Sequence, residues 1–189
     1  MALNKNMALG LQRTDNEEVS RYVDKKNYLV QVTLHEARNL ISERESGVVN
    51  CYSQITVANG TPQCTTVIPQ TVEAFWAQQF TFKDIILSDI EREQFEITLT
   101  VYDQKDFWKN SIIGSASIGL GFLYNQSNHE IFYKWISLKH PEDTKNSAKG
   151  FVLLSCYIIG EGDDPPMHDA NEAPDDEDYD EFAGMDDID

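Results

Sequence analysis

FEITLTVYDQKDFWKNSIIG, residues 95–114, starts as a strand and breaks into a loop of charges and aromatics before the apolar pattern resumes. Phe95, Ile97, Leu99 and Val101 alternate with Glu96, Thr98, Thr100 and Tyr102, the two-residue period of a strand buried on one face. The same device occupies residues 28–35, YLVQVTLH, with Tyr28, Val30, Val32 and Leu34 on one side and Leu29, Gln31, Thr33 and His35 on the other. Between these two runs, CYSQITVANGTPQCTTVI (51–68) carries Asn59-Gly60 between strand-like segments. That pair predicts a hairpin with a type I′ turn, whose two central positions need positive φ.

Further strands are expected at WAQQFTFK (76–83), SIIGSASIGL (111–120), EIFYKWISL (130–138) and FVLLSCYII (151–159). The first of these could also open a short helix, but period two through Phe80 and Phe82 favours a strand. Residues 84–94, DIILSDIEREQ, read as a connecting loop or helical turn, and LGFLYNQSNHEIFYKW (120–135) as containing a short helical insertion. Seven or eight strands separated by turns instead of regular helices define an all-β sandwich, not an α/β fold. Trp76 and Trp135 fall inside strand-like runs and are expected in or near its core.

The 189 residues suffice for one substantial core. The formal charge of -17 is unevenly spread: residues 161–189 hold 14 acidic side chains and no Lys or Arg, leaving 18 acidic against 15 basic elsewhere. We therefore expect a flexible polar lead-in at 1–24, a folded domain at 25–160, and an acidic disordered tail or interdomain linker at 161–189. Tyr179 and Phe182 would be the tail's anchors if it met a basic partner. No basic stripe of the kind that neutralises phosphates occurs, which argues against nucleic acid as a partner.

Cys51, Cys64 and Cys156 form neither a disulfide framework nor a CxxC metal site, so they read as thiols in a reducing compartment. No apolar run reaches the length of a membrane-spanning helix, and the first residues lack the apolar centre of a signal peptide, so the chain reads as cytoplasmic. His35, His129, His140 and His168 are scattered, with no nucleophile elbow and no phosphate-binding glycine loop, so no enzymatic activity is expected.

The order of these segments resembles a C2 domain. YLVQVTLHEARNLISERESGVVNCYSQITV is similar to its opening strand pair, FWAQQFTF to its mid-domain aromatic strand, and LTVYDQKDFWKNSIIGSASI to the strands flanking its third top loop. GFLYNQSNHEIFYKWISLKHPEDTKNSAKGFVLLSCYIIGEGDDPP more specifically resembles the end of the second C2 domain of the ferlins. The resemblance covers about residues 28–166. It implies an eight-stranded antiparallel β-sandwich of type II topology, and one domain of a large parent associated with vesicle fusion and membrane repair.

Calcium is a hard cation that takes six to eight oxygen ligands. The resemblance implies five carboxylate positions on the first and third top loops. These fall near Arg44, on Asn50, and on Asp103, Lys105 and Ser111, so only Asp103 is still a carboxylate. Glu43, Glu45 and Asp106 lie close enough in sequence to serve as replacement ligands if the register slips. We expect no calcium or other cofactor, and a salt bridge from Asp103 to Lys105 or Arg44 in its place.

The third loop also sets Phe107 and Trp108 between Lys105 and Lys109, a composition suited to lipid headgroups or a protein partner. The other reading is that both rings fold back to cap the sandwich. Residues 51–71, CYSQITVANGTPQCTTVIPQT, contain no Lys or Arg, so the basic patch of phosphoinositide-reading relatives is missing. The expected function is a calcium-independent interaction domain of a ferlin-like protein, contacting the parent's other domains or a protein partner at the cytosolic face of a vesicle or plasma membrane. The alternative is a peripheral membrane module that inserts the loop aromatics.

Overall fold

The structure, a computed structural model, describes residues 24–168 except Trp108 and Asn146. The expectations for the lead-in through residue 23, for the Trp108 ring and for the tail from residue 169 lie outside the described residues. Nine antiparallel strands follow in chain order: β1 (Lys26–Arg38), β2 (Val49–Val57), β3 (Gln63–Cys64), β4 (Ile68–Thr71), β5 (Ala74–Leu87), β6 (Glu96–Asp103), β7 (Ser111–Gly119), β8 (Glu130–Lys139) and β9 (Ala148–Ile159). Their hydrogen-bonded order is β3-β2-β6-β7-β8-β9-β1-β5, with β4 also beside β2.

One join in that order is weak. β7 meets β8 through the single pair Ser115 and Lys139, so the sheet folds there into two layers, β3-β2-β6-β7 and β8-β9-β1-β5. Inward side chains from both layers, among them Val30, Val32, Leu34, Ile55, Leu99, Val101, Leu154 and Ile158, form one core. Each such buried aliphatic side chain contributes roughly 1.5–3 kcal/mol of transfer free energy. The first and last strands pair from Leu29 opposite Ile159 to Arg38 opposite Phe151, so the start of β1 and the end of β9 lie side by side.

Three features differ from the sequence expectation. The Asn59-Gly60 hairpin forms without a type I′ turn: positive φ falls on Ala58 (50°), whose amide donates to the Glu96 carbonyl of β6 at 2.9 Å. The reversal therefore begins one residue early, held by Gly60 N–H on the Val57 carbonyl. The returning arm is split into β3 and β4, because the Thr65 hydroxyl accepts the Ser53 amide at 2.8 Å in place of a ladder partner. That split is why nine strands are present and not eight.

The third difference is at residues 84–87, which continue β5 instead of forming a loop, Ile85, Ile86 and Leu87 pairing with Tyr28, Asn27 and Lys26. A bulge carries the strand past this point, with Asp84 at φ 58°. β5 ends at Ser88, whose hydroxyl accepts the Glu91 amide while the Glu91 carboxylate accepts the Ser88 amide. This capping box starts the short helix α1 (Asp89–Gln94). The helical insertion expected after β7 is α2 (Leu120–Tyr124), followed by a 3-10 turn at Ser127–His129. Trp76 and Trp135 are both buried.

Candidate functional site

The loops after β1, β4, β6 and β8 are joined at one end of the sandwich. Leu40 N–H bonds the Val72 carbonyl and Ile41 N–H the Lys149 carbonyl, both at 3.0 Å. Asp103 is the last residue of β6, opposite Cys51 of β2 and Ser111 of β7, and this position between two strands buries its carboxylate. Arg44 reaches it from the first loop. A turn with Gly47 N–H on the Arg44 carbonyl, and the Ser42 hydroxyl accepting the Arg44 amide, present the guanidinium to β6.

Arg44 Nε and Nη2 each donate to one Asp103 oxygen at 2.6 Å, and Nη2 also donates to the Gln104 carbonyl at 2.6 Å. The Asn50 amide adds a third donor to Asp103 at 3.0 Å. This two-pronged, charge-assisted geometry is among the stronger ion-pair arrangements. The hydrogen bond that Arg44 donates to Asp103 raises the Arg44 pKa above its usual value against the opposing effect of desolvation. Of the two pairings anticipated for Asp103, the one with Arg44 forms.

The remaining positions of the degenerate site are placed as follows. Asn50 turns its side-chain oxygen away from Asp103 to accept the Gln70 amide at 3.0 Å. Ser111 stands across from Asp103, and Lys105 donates its backbone amide to Asn110 Oδ1, which is braced in turn by Asn110 Nδ2 on the Tyr52 hydroxyl. Glu43 lines a cleft with Asp103 and Ser111, Asp106 lies near enough to Arg44 to act on its charge, and Glu45 is exposed. Among the described residues, no group of three or more His, Cys, Asp or Glu side chains could hold a metal ion. At the tip of the third loop Phe107 is 92% exposed and Lys109 is exposed as well.

The cleft beside Asp103, about 240 Å³, is closed on its far side by residues that sequence reasoning did not single out. Lys149 Nζ sits 2.8 Å from Asp143 Oδ2, and Asp143 also takes the Lys145 amide and the Ser147 hydroxyl. The Lys149 contact, followed by those of Ser147 and Lys145, holds the Asp143 carboxyl far below its usual range. The signal available in the sequence was the polar segment 140–149 itself, in which an Asp and a Lys bracket a Ser. No helix of the described residues is long and apolar enough to cross a membrane.

A two-layer antiparallel sandwich with paired ends and a cluster of joined loops at one end defines a C2 domain. The family model of the C2 domain matches residues 28–138, and the chain belongs to that family. Within it, the sequence is of the ferlin kind: it is 46% identical over 159 residues to Ferlin 2 of Tetrahymena thermophila, covering 84% of this chain and 9% of that protein. It is also 36% identical over 70 residues to myoferlin of Mus musculus, covering 37% of this chain and 3% of that protein. The chain thus spans only a small part of the length of these curated relatives. About a third of a solved structure of the SMP, C2A and C2B domains of Extended-Synaptotagmin 2 shares the fold, with a TM-score of 0.58 at 17% identity over 81% of this chain and 32% of that one.

Proposed function

We propose that this domain is a calcium-independent interaction module of a ferlin-like parent. It would contact the parent's other domains or a protein partner at the cytosolic face of a vesicle or plasma membrane during trafficking, fusion or repair. The observation that carries this reading is the guanidinium of Arg44 on both oxygens of Asp103. A positive charge already fills the space where a cation would need that carboxylate, and calcium would have to displace it before gaining one ligand of the six to eight it requires. Similarity to ferlins supplies the membrane setting.

A second reading rests on Phe107, whose ring stands in solvent at a loop tip with Ile41 of the first loop 51% exposed. Such rings gain apolar contact at a headgroup layer without calcium. Co-sedimentation with neutral and anionic vesicles, each with calcium and with chelator, separates the two. The interaction-module reading expects no vesicle binding in any condition. Binding that survives chelator and is lost in the Phe107→Ala, Trp108→Ala double variant selects the membrane module, and binding only with calcium overturns both.

A further inference from the structure

The chain does not leave the sandwich where β9 ends. After Ile159, Gly160 N–H donates to Asp163 Oδ2 at 2.7 Å and Asp163 N–H returns to the Gly160 carbonyl at 3.3 Å, with Gly162 at φ 97°. This turn reverses the chain and sends it back along the outer side of the β8-β9-β1 layer. There Pro166 and His168 complete a cleft of about 180 Å³ whose sheet side includes His35, Phe132 and Tyr133.

His168 is seated by two contacts on the same strand. Its ring stacks on Phe132 with centroids 3.6 Å apart and planes 12° from parallel, and Nε2 lies 2.5 Å from Glu130 Oε2. The Glu130 side chain is 11% exposed, so its charge is largely withdrawn from water and a cationic partner matters more there than on an open surface. The opposite wall is preorganised without the returning segment: His35 stacks on Tyr133 at 4.0 Å and its Nε2 meets Ser155 Oγ at 2.9 Å.

We propose that residues 160–168 form a strap that closes this aromatic cleft, latched by protonated His168 on Glu130, and that the strap opens when His168 loses its proton. The titratable groups facing the cleft are Glu130 and Tyr133 from β8, His35 from β1, and Cys156 and Tyr157 from β9, with Asp163 and Asp164 on the strap itself. Burial lowers the His35 pKa, which favours its neutral form. Among the described residues facing the cleft, Glu130 is the carboxylate seen to ion-pair with His168.

The sign follows from the pair. Protonated His168 makes a charge-assisted bond to Glu130, and neutral His168 makes at most an ordinary one, so closure is strong below the titration of His168 and fades above it. The strap leads directly into residues 169–189, which hold 11 acidic side chains. Opening would therefore uncover the aromatic cleft just before that acidic stretch of sequence.

Hydrogen–deuterium exchange of the full chain tests this, with protection referred to an unstructured peptide of the same sequence. At about pH 6 the Gly160 and Asp163 amides, which donate within the strap's own turn, are expected to be protected, and at about pH 8.5 that protection should fall by about tenfold. His168→Ala should abolish it at both pH values, and Glu130→Gln should leave a weaker protection that no longer depends on pH. Unchanged protection of β1 and β6 in each variant shows that the fold is intact. A strap that exchanges freely at pH 6, that is equally protected in His168→Ala, or that ignores pH in the natural sequence overturns the proposal.

Discussion

Arg44 and Asp103 tie the first loop to the third through two hydrogen bonds of 2.6 Å, and the carboxylate also serves the Asn50 amide. Removing Asp103 leaves that half-buried amide without its acceptor and the guanidinium without its counterion. An unsatisfied buried donor costs about 1–3 kcal/mol, so Asp103→Ala should lower stability in urea unfolding by at least that amount. Arg44→Ala should loosen the same loops, read as faster amide exchange at Asn50 and Gln104. The second ion pair has a pH signature. Lys149, Ser147 and Lys145 hold the Asp143 pKa below its usual value of 3.8, so its contribution is fully present above about pH 4 and is lost as the pH falls through the lower, folded value. Asp143→Asn should flatten this part of the acid-unfolding curve while leaving the curve's shape above pH 5 unchanged.

At the level of the strands, the corner between β7 and β8 depends on Gly114. A Cβ at that position would sit 2.9 Å from Leu138 Cβ and 3.3 Å from Lys149 Cβ, both on strands of the opposite layer. Overpacking of this kind typically costs about 1–3 kcal/mol, so Gly114→Ala should shift the urea midpoint down without changing the slope. Most strands were legible because one face of each is buried, which writes a two-residue period into Phe95–Val101 and Tyr28–Leu34. The period was lost where the backbone inserts a residue. Lys83 and Asp84 are both exposed at the β5 bulge, so the alternation slips and the continuation to Leu87 looks like a loop. Asn59-Gly60 misled for a different reason: a tertiary hydrogen bond from Ala58 to β6 outweighs the local turn preference.

Across the whole molecule, burial sorts the three thiols. Desolvation pushes both Cys51 and Cys156 up to about 12, whereas Cys64 is exposed on β3. Alkylation of the native chain at neutral pH should therefore modify Cys64 alone, with the other two reacting only after unfolding, as counted by intact mass. The candidate site divides along similar lines of legibility. Arg44, Asn50, Asp103 and Ser111 could be placed because a family pattern fixes their positions on two loops, and the expected salt bridge is present. Lys149 with Asp143, and His168 with Glu130, could not be read, because pairs brought together by a loop closure or a chain reversal leave no periodic trace.

We propose that the Arg44 guanidinium takes the place of a cation at this end of the sandwich. A calorimetric titration of the folded chain with calcium at low ionic strength tests it most directly. The expected result is no saturable heat up to about millimolar calcium, the weak end of the range in which protein calcium sites operate. A saturable isotherm that disappears in Asp103→Asn would contradict it, and would mean that calcium displaces the Arg44 guanidinium and recruits Glu43 or Asp106 as replacement ligands.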